Sequence, residues 1–244
     1  IHNEQVVEDL EEKGVSVIDT IEELENLQSG SVVIRSHGVP KKIYDAIEKQ
    51  NLEIVDATCP FVKKIHNIVK KESEKGKRIV IIGNDNHPEV EGIKGWVVGE
   101  AIVIKDEEDI EKIDSFRNES ICIVSQTTFN YNKFKYLVEI ITKKGYDINV
   151  VNTICNATHL RQVEAKEIAS KVDAMIVIGG KNSSNTQKLY DICKNECKDT
   201  YYIQTVSNLN LKNVDSLRSI GITAGASTPK KIIEEVVLNV RDEF

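Results

Sequence analysis

The residues able to do chemistry in this 244-residue sequence gather in short polar loops. His37 lies in Ser36-His37-Gly38-Val39-Pro40, Cys59 in Asp56-Ala57-Thr58-Cys59-Pro60, and His87 and Glu89 in Asn86-His87-Pro88-Glu89. Further loops are Ser125-Gln126-Thr127-Thr128, Asn152-Thr153-Ile154-Cys155, Asn182-Ser183-Ser184-Asn185 and Ala224-Gly225-Ala226-Ser227-Thr228-Pro229. Imidazoles donate to phosphate oxygens and become charged when they do, so His37 and His87 beside Ser/Asn loops suggest an anion site. Ser183, Ser184 and Asn185 can cradle a phosphate at a helix start. The plain alternative is that they cap the helix, as Ser227-Thr228-Pro229 can also do. Glu89 suits the first turn of any helix. Between His87 and a phosphate it is also placed to be a proton donor with a raised pKa.

Cys59 and Cys155 stand at polar loops 96 residues apart, where thiolates can hold an iron–sulfur cluster. Two are too few for such a cluster by themselves. Cys122, inside an apolar run, reads as a small core hydrophobe. Cys193 and Cys197, spaced i, i+4, could share a metal, but their neighbours Lys194, Asn195 and Glu196 suggest an exposed helix face. His66, among Lys63, Lys64, Lys70 and Lys71, reads as a surface residue, and nothing gives His159 a role. The basic run from Lys63 to Arg78 reads as a solvated helix face, with a docking surface for an acidic electron carrier as the alternative.

The loops must be positioned by the elements around them. Short apolar runs fall at 15–18, 31–34, 53–55, 78–82, 101–104, 120–124, 148–151, 174–178, 200–203 and 219–222. Helical stripes lie between them, such as Val62/Ile65/Val69, Phe134/Leu137/Ile140/Ile141 and Ile232/Ile233/Val236/Val237/Val240. Strands alternating with helices predict α/β architecture with largely parallel sheets. The polar loops then occupy the strand-to-helix edge, where ligands bind in such folds. Their spacing predicts three small α/β units, 1–58, 59–154 and 155–235; the tail 236–244 is expected to return to the first.

Composition excludes several classes. The 32 Lys+Arg against 39 Asp+Glu leave a net charge of −7, which argues against coating nucleic acid or a basic membrane surface. No apolar run reaches a membrane span, no signal peptide is visible, and five cysteines without tight spacing suggest no disulfide framework, so a cytoplasmic location is expected. Neither a Walker loop nor GxGxxG is present, which counts against an ordinary nucleotide-binding enzyme. Met175 is the one methionine and the chain opens Ile1-His2-Asn3, so an N-terminally incomplete chain is expected.

Taken in order, the loops resemble the 4-hydroxy-3-methylbut-2-enyl diphosphate reductase family, the last enzyme of the non-mevalonate isoprenoid pathway. Besides those above, the matching segments include Ile1-His2-Asn3, His87-Pro88-Glu89-Val90-Glu91-Gly92, Asn156-Ala157-Thr158 and Arg161-Gln162. The resemblance implies a trefoil of three α/β units around a central cavity. It implies a [4Fe-4S]-type cluster held by three Cys, of which Cys59 and Cys155 look like the second and third. The first belongs to a Gly-rich segment absent from this sequence. His2, His37, His87, Thr127, Ser183, Ser184, Asn185 and Ser227 look like substrate contacts. Glu89 looks like the proton source, with Thr127 and His87 beside it in catalysis. The implied reaction is reductive dehydroxylation of the allylic diphosphate to isopentenyl and dimethylallyl diphosphate, with electrons from a donor such as ferredoxin or flavodoxin. The alternative is an inactive, truncated diphosphate-binding module of the same fold.

Overall fold

The computed structural model describes residues 4–210 and 217–243, and carries three parallel sheets, each drawn from one contiguous stretch of chain. In the first, β1 (Ser31–Ile34) pairs with β2 (Glu53–Asp56). The second has β3 (Arg78–Ile82), β4 (Ala101–Ile104), β5 (Ile121–Ser125) and β6 (Ile148–Val150) in the order β4-β3-β5-β6. The third has β7 (Ala174–Ile178), β8 (Asp199–Ile203) and β9 (Ile220–Ala224) in the order β8-β7-β9. The helices are α1 (Glu4–Glu11), α2 (Ile21–Glu25), α3 (Lys41–Lys49), α4 (Pro60–Glu74), α5 (Pro88–Lys94), α6 (Tyr131–Lys143), α7 (Asn156–Ala169), α8 (Ser184–Glu196) and α9 (Lys230–Glu243).

Parallel neighbours need crossovers, and crossover helices cover both faces of a sheet, so its inner strands are apolar without alternation. β5 and β7 are buried at every position. On one face of the second sheet Val80, Ile82, Ile121 and Ile123 meet Phe134, Leu137 and Ile141 of α6. On the other, Ile79, Ile81, Cys122 and Val124 meet Ile65 and Val69 of α4 and Val90 and Ile93 of α5. The third sheet repeats the scheme. Met175 and Val177 pack with Ala165, Ala169 and Leu189, while Ile176 and Ile178 pack with Ile203, Ile232, Val236 and Val240. Val236 and Val240 of the segment 236–244 thus pack against the third sheet.

The structure corrects three local readings. Residues 15–18 form no strand: Val15 and Val17 are 46% and 56% exposed, and no neighbouring strand pairs with them. α2 was legible in Thr20 and Glu23, which form a capping box. Cys193 and Cys197 are buried: Cys193 continues the inward stripe of Thr186 and Leu189 on α8, and Cys197 follows four residues later at the helix's C-terminal cap. His66 is also buried, at 3% exposed, one helical turn from Val62 on the inner face of α4.

The chain divides into two compact units. One is Val17–Cys155, holding the first two sheets; the other joins the stretch up to Ser16 with the chain from Asn156, holding the third. Among the described residues no helix is long and apolar enough to cross a membrane. Ile123, fully buried on β5, tests the layered packing: Ile123→Ala is expected to cost about 2–5 kcal/mol in urea unfolding, and a loss under about 1 kcal/mol would contradict it.

Candidate active site

The strand orders decide where the polar loops meet. β4 and β5 flank β3 on opposite sides, so the connections after β3 and β5 leave in opposite directions. Such a switch point opens a crevice at the carboxyl ends of the strands. The loop after β3 carries His87, and the loop after β5 carries Thr127. Gln126 binds the two together: its N–H donates to Ile82 O at 2.9 Å, and its side-chain oxygen accepts from the Asn84 N–H at 3.1 Å.

At this crevice Glu89 is 2% exposed. Pro88 starts α5, His87 caps it, and the His87 Nδ1 accepts the Glu89 N–H at 3.1 Å. In a neutral ring that acceptor leaves the proton on Nε2. The Glu89 carboxyl meets Thr127 twice. The Thr127 N–H donates to Oε1 at 2.6 Å and the Thr127 hydroxyl donates to Oε2 at 2.7 Å. A hydroxyl can donate to a carboxylate or accept from a carboxylic acid, so this pair can pass a proton in either direction. The His37 ring lies 5.6 Å from that of His87, inclined at 64°.

Both loop cysteines are tied by their backbones to this group. The Cys59 N–H donates to Ser36 O at 3.0 Å, next to His37, and the Cys155 N–H donates to Thr127 O at 2.9 Å. Thr153 secures the second tie, its hydroxyl accepting the Ser125 N–H at 2.7 Å. Cys59 and Cys155 are free and partly exposed, whereas Cys122, Cys193 and Cys197 are free and buried. Burial pushes the thiols of Cys122 and Cys193 up to about 11. Among the described residues, no group of three or more His, Cys, Asp or Glu is arranged as a metal site.

The other unit repeats the switch. β8 and β9 flank β7 on opposite sides, and the loops after β7 and β9 carry the remaining candidates. Ser183 caps α8, its hydroxyl accepting the Thr186 N–H at 3.3 Å. Ser184 opens the helix and is half-buried. Asn185 is 6% exposed, and neither atom of its amide has a hydrogen-bond partner. Ser227 is exposed in the loop after β9, whose Gly225 N–H and Thr228 hydroxyl both donate to Ile178 O, at 2.8 and 3.0 Å. Thr186 sits under both loops: a methyl group at Gly179 would stand 2.5 Å from its hydroxyl, and one at Gly225 closer still. His2 lies outside the described residues.

The basic run is largely neutralised. Lys63 pairs with Asp56, Lys70 with Glu74, Lys75 and Lys77 with Glu72, and Arg78 with Glu119. Burial raises the Asp56 pKa, but hydrogen bonds from Lys63 and Thr58 outweigh it and bring it down to about 2. His66 behaves oppositely, burial lowering it to about 4 against the pull of the Asp56 charge. Between pH 6.5 and 4 the unfolded chain therefore binds the proton that folded His66 refuses, and stability falls as pH drops through that window. The Asp56 contribution is lost lower, from 3.8 towards 2. Urea unfolding at pH 7 and pH 4.5 is expected to show a smaller drop for His66→Gln than for the parent protein, and equal drops would refute the assignment.

The sequence matches the LytB protein family over residues 1–241. It is 48% identical over 242 residues to a 4-hydroxy-3-methylbut-2-enyl diphosphate reductase of Caldanaerobacter subterraneus subsp. tengcongensis, covering 99% of this chain and 83% of that one. It is 46% identical over 237 residues to the enzyme of that name from Clostridioides difficile, covering 97% and 84%. Among solved structures, a terminal enzyme of the non-mevalonate pathway, (E)-4-hydroxy-3-methyl-but-2-enyl diphosphate reductase, is 41% identical with TM-score 0.70, over 99% of this chain and 85% of that one. The Plasmodium falciparum reductase aligns with TM-score 0.91 at 27% identity, over 98% of this chain and 75% of that one. Matched over nearly all its length in sequence and in structure, the chain belongs to the LytB family of 4-hydroxy-3-methylbut-2-enyl diphosphate reductases.

Proposed function

We propose that this protein removes the allylic hydroxyl of 4-hydroxy-3-methylbut-2-enyl diphosphate, giving isopentenyl and dimethylallyl diphosphate, with Glu89 as the proton donor. The observation that carries this reading is the buried Glu89 carboxyl held at both oxygens by Thr127 and placed beside His87. Loss of the hydroxyl as water takes two electrons and two protons. Glu89 delivers a proton to the leaving oxygen or to the allyl carbon, and Thr127 holds the carboxyl in place and relays its replacement. His37, His87, Ser183, Ser184, Asn185 and Ser227 contact the diphosphate or the hydroxyl and orient the carbon chain, with His2 and Thr127 as further contacts. The unpartnered Asn185 amide supports that role, since a buried polar group without a partner is costly unless a ligand supplies one.

Side chains alone supply no electrons, so a redox group is required. Cys59 and Cys155 fit an iron–sulfur cluster as two of its thiolates, being free, partly exposed and at strand-to-helix loops, while the other three cysteines are buried. When bound, such a cluster passes electrons from a donor of the ferredoxin or flavodoxin kind and offers iron as a Lewis acid. A diphosphate-binding module of the same fold is the second reading.

In a chain that also carries the third cluster cysteine, Glu89→Gln is expected to keep substrate binding and lower turnover by roughly 10²- to 10⁴-fold. Normal turnover would remove Glu89 from the mechanism. Cys155→Ser is expected to abolish the visible absorption that follows anaerobic reconstitution with iron and sulfide, and an unchanged spectrum would reject that ligand. Pyrophosphate binding without any bound iron in the parent protein would establish the second reading.

A further inference from the structure

The loop bearing His37 follows β1, and the helix bearing His87 and Glu89 follows β3, so two different sheets must place them in register. One ring stands at their junction. His66, on α4, is stacked on Trp96 with centroids 5.2 Å apart and planes 17° from parallel. Its edge faces two glycines. A methyl at Gly38 would stand 2.6 Å from His66 Cε1 and 3.2 Å from Nε2, and one at Gly92 3.5 Å from Nε2 and 3.5 Å from His37 O. Gly38 has φ +70°, so the turn beside His37 also requires a residue free to adopt the left-handed region. Trp96, at the end of α5, reaches back to the same loop, its indole N–H donating to Val39 O at 3.0 Å. The Lys41 N–H donates to Gly95 O at 3.4 Å, and Gly95 lies directly against Pro40.

We propose that His66 is a positioning residue: wedged between the Trp96 indole and the glycines at 38 and 92, its ring sets the spacing of His37 from His87 and Glu89. It makes no hydrogen bond or ring contact with His37, His87 or Glu89. The residue is 3% exposed, and its Nε2 has no hydrogen-bond partner, so its place is set by packing rather than by a polar contact at that nitrogen. A ring removed from such a slot leaves space into which the Gly38 turn can sink, carrying His37 with it. The proposal rests on the reading of His37 and His87 as diphosphate contacts for its functional consequence, but not for its geometry.

The test combines crystal structures with pyrophosphate affinity by calorimetry, for the parent protein, His66→Ala and His66→Gln. Glutamine extends as many atoms as the imidazole edge and keeps a planar end. His66→Ala is expected to move the His37–His87 centroid separation from 5.6 Å by about 1 Å and to weaken pyrophosphate about tenfold or more, displacements of that size being costly in a preorganised site. His66→Gln is expected to restore both spacing and affinity to within about threefold. If the alanine variant does not fold, His66→Asn, one atom shorter than glutamine, takes its place. A folded truncation variant with the separation unchanged overturns the proposal. A parent protein that binds no pyrophosphate overturns the anion-site reading instead, while the ring separation still decides the role of His66.

Discussion

A carboxyl group shut away from water must be met by donors at both oxygens, and Glu89 finds both in one residue 38 positions along the chain. That requirement constrains everything around it. Thr127 can reach Glu89 because β3 and β5 are neighbours, and they are neighbours because β4 leaves on the other side. The inner strands are therefore apolar between their ends and covered on both faces, and their carboxyl ends are where polarity is permitted. The sheet order, the core and the site are one arrangement seen at three scales.

The same logic recurs on β7, with different chemistry. There the switch point presents hydroxyls and an amide rather than imidazoles and a carboxyl, and two glycines let Thr186 approach both loops. Asn185 is held in the interior by the helix start while its amide finds no internal partner. A site built on loops gains precision in this way from the strands beneath them.

Much of this was legible in the sequence. Continuous apolar runs marked the strands, and polar loops after them marked the candidate site, because ligand edges in parallel sheets lie where strands end. Glu89, His87 and Thr127 could be named from their loops, but the double contact between Glu89 and Thr127 depends on strand order, which no local pattern encodes. His66 was misread because lysines surround it in sequence; its four-residue offset from Val62 was the available signal. Cys193 and Cys197 failed for the same reason, their polar neighbours pointing outward while their own spacing from Leu189 pointed in. The run at 15–18 had the composition of a strand but no strand beside it, and a strand without a partner is not stable.

Each sheet takes its strands from one uninterrupted stretch, 31–56, 78–150 or 174–224. As the chain emerges from the ribosome, the carboxyl clamp between residues 89 and 127 has all its parts before the third sheet is translated. Domains generally fold as units in that N-to-C order. Assembly of the acid-bearing half therefore need not wait for the hydroxyl-bearing half, and the nascent polypeptide exposes one incomplete sheet at a time rather than several.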